Sequence, residues 1–106
     1  MNYTTATIDE LIPMIENIAD GRRSEPREGL LRLRELCMNA IDILSADNPF
    51  AHEPMKIQST VWMIEQITAT ESGFDRWLLF VLRSKKAACT SILRNYALKT
   101  RPLIAA

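Results

Sequence analysis

Helix-breaking residues are scarce in this sequence: three glycines and five prolines in 106 residues, nearly all between stretches of periodic hydrophobicity. Long unbroken segments follow, and they favour helices. The two cysteines, Cys37 and Cys89, are too few for the disulfide framework of a small secreted domain. No C-x-x-C pair marks zinc or a redox centre. The single histidine, His52, stands beside Glu53 with no second His or Cys at ligand spacing. A solvent-exposed or helix-capping loop position is its expected role.

Long apolar runs are missing too. The longest, Trp77–Leu82, has six residues, far short of the about 20 that cross a bilayer. Met1-Asn2-Tyr3-Thr4-Thr5 has neither the basic nor the apolar region of a signal peptide. The expected setting is therefore cytoplasmic, away from membranes, with both thiols reduced and packed as small hydrophobes. After Asp75 there is no acid at all. Residues 1–75 hold all thirteen acids and six bases, a net of −7, and residues 76–106 hold seven bases, a net of +7. The zero total hides a basic half that either lies against acidic neighbours or is free to meet phosphates.

What is present is helical periodicity. The 47% hydrophobic and 25% charged residues suit a folded chain, and the length suits one domain, spanning 1–106 with loose ends at 1–6 and 102–106. No repeat, low-complexity tract or strand-like alternation interrupts the pattern. Helices are expected at about 8–20, 25–45, 54–69 and 74–99, packed as an all-α bundle with antiparallel neighbours. Thr7-Ile8-Asp9-Glu10 fits a capping box. Gly21 sits where a C′ glycine belongs, and Ser24 and Pro54 mark the next two starts. Pro13 either kinks the first helix or begins its regular part. Ser72-Gly73 opens the last helix, and Pro102 stops it. Phe50, in the longest loop, is expected to plug the end of the core.

The last helix, taken at 100° per residue, has a broad apolar arc through Phe74, Trp77, Leu78, Val81, Leu82, Ala88, Cys89, Ile92, Leu93 and Tyr96. Arg76, Arg83 and Arg94 fall opposite, with Lys86 on their flank; together they form a candidate basic surface. Lys85 lies within the apolar arc, where an ammonium must snorkel, pair or mark the end of the core. A helix–turn–helix reader is disfavoured, because this helix opens too apolar to face base edges.

No catalytic set emerges. Glu-x-x-His pairs of the di-metal kind are absent, as is any nucleophile–base pairing, so no enzyme, metal or cofactor is expected. Three apolar stripes lie off the main core faces instead: Leu31 with Met38, Met55 with Trp62, and Leu79 with Phe80. One small core has no room for them, and tryptophan and methionine near arginine are interface composition. The leading expectation is a non-enzymatic interaction module, a regulator, adaptor or inhibitor, acting on a protein partner and as a homodimer. The alternative is a nucleic-acid-associated accessory protein using the basic face.

Overall fold

The computed structural model describes residues 7–70 and 75–100. It contains four helices: α1 (Ile8–Glu16), α2 (Pro26–Asp47), α3 (Glu53–Ala69) and α4 (Asp75–Thr100). The all-α architecture matches the expectation, with boundaries displaced by a few residues. The anticipated features at 71–74 and 101–106, including Phe74 and Pro102, lie outside the described residues, as do the N-terminal six.

The local chemistry explains the limits. Thr7 caps α1, its hydroxyl accepting from the Glu10 N–H and donating to the Glu10 carboxylate. Pro13 stays inside the helix, where it cannot donate to the carbonyl of Asp9. Three residues later α1 ends, at Glu16 rather than at 20. Gly21 is thus well beyond the helix end, and it does not take the left-handed conformation of a C′ glycine. Ser24 closes the connector through a bond to the Gly21 carbonyl, while Glu25 rather than Ser24 occupies the cap of α2. Pro26 then opens α2, where no N–H is missed. His52 is the N-cap residue of α3, without a side-chain cap bond.

Cross-helix bonds fix the directions. Arg27 donates to the Thr68 carbonyl and Arg34 pairs with Glu65 at 2.7 Å, so α2 and α3 run antiparallel. Glu53 meets Lys99, which makes α3 antiparallel to α4. Glu16 meets Arg94 and the Asp20 carbonyl meets Arg83, which makes α1 antiparallel to α4. The chain therefore runs up-down-up-down. Among the described residues α1 and α3 do not touch, whereas the other diagonal pair, α2 and α4, packs directly. The bundle is a rhomb with α2–α4 as its short diagonal.

Small residues permit that approach. Gly29 faces Leu82, and a Cβ on it would lie 2.6 Å from Leu82 Cδ2 and 3.3 Å from Ile18 Cγ2. Further along, the buried thiols of Cys37 and Cys89 meet at 3.5 Å. Around this axis Leu11, Ile15, Leu30, Leu33, Leu36, Ile57, Ile64, Leu82 and Leu93 are sealed from water. Each contributes about 1.5–3 kcal/mol of transfer free energy.

Beneath the α2–α3 loop the core is closed by Tyr96, whose hydroxyl donates to the Asp47 carboxylate at the end of α2. Phe50, expected to plug this end, is instead 88% exposed. Burial, with the Asp47 carboxylate as acceptor and neighbour, pushes the Tyr96 phenol up to about 12. The native state thus favours the neutral phenol. Its contribution is complete below the ordinary tyrosine pKa of about 10 and is lost as pH rises from there toward the folded value.

Two outcomes follow. In urea denaturation Gly29→Val should cost about 1–3 kcal/mol by overpacking. Gly29→Ala should cost less, because alanine regains up to about 1 kcal/mol of helix propensity. Between about pH 10 and 12, wild-type stability should fall more steeply than that of Tyr96→Phe, as read by circular dichroism melts across that range.

Candidate functional site

The α2–α3 hairpin brings two of the expected stripes together. The ion pair Arg34–Glu65 and the Arg27–Thr68 bond lie on the outer seam between the two helices. On α2, Leu31 and Met38 follow Arg27 and Arg34 at four-residue spacing, one step further out. On α3, Met55 and Trp62 flank the Glu65 side of the same seam by the same phasing. All four residues are exposed, Met55 at 74% and Trp62 at 65%. The result is one outer face: a closed ion pair along its middle and apolar side chains on both borders. Sequence periodicity separates each stripe from its helix's core face, but only the antiparallel pairing shows that the two share a side.

The third stripe belongs elsewhere. Phe80 is 68% exposed on the first turns of α4, while Leu79 is half-buried and packs against the core. The cause is a rotation. The buried residues of α4 are Leu78, Val81, Leu82, Lys86, Cys89, Thr90, Leu93 and Tyr96. Their arc is centred roughly 50° nearer the arginine row than the apolar pattern indicates, because α4 must turn a face toward α1. Trp77 and Ala88, expected within the core arc, consequently face solvent, and Leu79 is drawn inward.

The same rotation redistributes the basic residues. Lys86, expected on the basic surface, is only 7% exposed. Its ammonium donates to the Ile18 carbonyl at 2.6 Å and to the Asp20 carboxylate at 2.9 Å. Lys85, expected within the apolar arc, is half-buried on the far side of that arc from the arginine row. Arg94 pairs with Glu16 at 2.5 Å. Arg83 donates through Nε to the main-chain oxygen of Asp20, a bond that orients the guanidinium without neutralising it. Arg76 has no acid partner among the described residues. α1 and the residue following its turn therefore cancel the C-terminal part of the row and leave its N-terminal part charged.

That charged part borders a cleft of about 620 Å³ between the α1–α2 connector and the start of α4. Arg22 and Ser24 stand on the connector side, and Asp75, Arg76, Phe80 and Arg83 on the α4 side. Arg22 lies in the connector, outside the basic surface expected on the last helix. Its adjacency to Arg76 comes from the bundle, and only the excess of arginine at Arg22-Arg23 hinted at it.

The interior offers less chemistry. Cys37 and Cys89 share a thiol–thiol contact, and this bond, together with burial, holds the Cys37 thiol far above the usual range. Cys89 is shifted the other way, by the bond to Cys37 and, after the opposing effect of burial, by the Thr60 hydroxyl and the charge of Lys85. Both sulfurs are fully enclosed. At the other end Lys99 donates to the buried Glu53 carboxylate and holds it below the usual carboxylate range. Among the described residues no three His, Cys, Asp or Glu side chains are grouped to hold a metal ion. No helix among them is long and apolar enough to cross a membrane. Comparison with protein-family models, with curated proteins and with solved structures gives no match.

The buried ammonium gives the sharpest test of the α1–α4 contact. Asp20→Asn leaves Lys86 with neutral acceptors only and no counter-charge, and since Asp20 is itself partly exposed the expected cost is about 2 kcal/mol. Lys86→Met removes the charge altogether and should stay within about 1 kcal/mol of wild type. Urea denaturation midpoints of the two variants compare them directly.

Proposed function

We propose that this protein is a small interaction module that acts by binding rather than by catalysis, and that the outer face of the α2–α3 hairpin pairs with a second copy of the chain. One observation carries the reading: Leu31, Met38, Met55 and Trp62 stand exposed along the two borders of a single seam. Large apolar side chains clustered on one face favour burial against another protein, and tryptophan and methionine are among the residues that anchor such contacts.

Self-pairing is favoured over a foreign partner by the charge of the face. A two-fold contact needs a surface complementary to itself. Arg34 and Glu65 already neutralise each other, so two copies meet without like-charge repulsion along the seam. Exposed side chains at the borders leave the folded monomer little dependent on them.

Light scattering should report twice the 12.1 kDa chain mass at micromolar concentration. Trp62→Glu should return the protein to a monomer while shifting its own stability by less than about 0.5 kcal/mol. A monomeric wild type, or a dimer indifferent to Trp62→Glu, rules the reading out.

A further inference from the structure

The cleft between the α1–α2 connector and α4 lies apart from the α2–α3 face and has a different chemistry. Three arginines, Arg22, Arg76 and Arg83, line it together with one acid, Asp75. Arg22 and Arg76 have no acid partner among the described residues. Arg83 is pinned by its 3.0 Å bond from Nε to the Asp20 carbonyl, so both terminal nitrogens keep their N–H donors for an incoming anion. Pro26, Leu79 and Phe80 supply the apolar wall. Like charges gathered in a concave site repel one another until an anion enters, and the low-dielectric wall strengthens the attraction that anion feels.

We propose that this cleft docks an acidic segment of a partner protein in which a carboxylate stands next to an apolar side chain. The carboxylate takes the arginine forks, for which bidentate geometry is the natural match. The apolar neighbour covers Phe80 and Leu79. The cleft is open along one side, as a passing chain requires and as an enclosed small-molecule site does not. Nucleic acid fits less well. A phosphate track needs a run of free cations, and here the row is interrupted where Lys86 pairs with Asp20 and Arg94 with Glu16.

Fluorescence anisotropy at low salt provides the test, with a labelled synthetic peptide of Glu, Asp and Leu as the probe. A counterpart with Lys for each acid and a labelled oligothymidylate serve as comparators. The acidic peptide should bind most tightly and weaken on adding salt. Affinity should fall about tenfold for each guanidinium lost in Arg22→Gln and Arg76→Gln. Neither residue has a side-chain bond among the described residues, so these variants should melt as wild type does. Phe80→Ser should weaken the acidic Leu peptide more than an all-acid peptide. Trp62→Glu should leave peptide affinity unchanged, which separates failure of this site from failure of the α2–α3 contact. The proposal is overturned by no binding at low salt, by tighter binding of the oligothymidylate, or by affinity that Arg22→Gln and Arg76→Gln do not alter.

Discussion

The close approach of α2 to α4 is the constraint on which the other contacts depend. In a square four-helix bundle the diagonals stay apart; here Gly29 admits Leu82, and Cys37 meets Cys89. Compressing one diagonal lengthens the other, and among the described residues α1 and α3 accordingly stay apart. Each is clamped between α2 and α4 as a separate wing. The outer face of the α2–α3 wing and the basic cleft beside α1 thus face different directions, and each can be altered without disturbing the other.

The buried polar contacts follow the same geometry. Lys86 is carried inward because α4 turns toward α1, and its burial is tolerable only because the Ile18 carbonyl and Asp20 wait there. Every buried side-chain nitrogen and oxygen among the described residues has a hydrogen-bond partner. A polar group left unpaired in such a core would cost about 1–3 kcal/mol, so the placement of Thr60, Thr90 and Glu53 is as constrained as that of the leucines around them.

Helix number, order and the exposure of Leu31, Met38, Met55, Trp62 and Phe80 were legible from periodicity, because an amphipathic helix writes its buried face into the spacing of its apolar residues. Rotation about the helix axis was less legible. An arc of ten candidates on α4 left room for a shift of half a face, and the choice between Lys85 and Lys86 turned on where α1 sat. Phe50 misled because a large apolar residue in a loop looks like a plug, whereas Tyr96 reached that end of the core from another helix. That Arg22 shares a cleft with Arg76 and Arg83 had only the Arg22-Arg23 pair as a hint, and the meeting of Cys37 with Cys89 had no sequence signal. Contacts between residues more than 50 positions apart depend on packing geometry that no local pattern encodes.

The brevity of α1 has a further consequence. At nine residues it spans about 14 Å, roughly a third of α4, and it is held by two neighbours instead of three. Segments with few buried contacts open first, at a fraction of the global unfolding free energy. Were α1 to open together with the connector that follows it, Lys86 and Arg94 would lose Asp20 and Glu16 as counterions, and Lys86 would be brought into water. Arg76, Arg83, Lys86 and Arg94 would then stand bare along one side of α4. The first helix and the turn after it thus form an acidic cover over part of a basic row, and the folded state keeps that part paired.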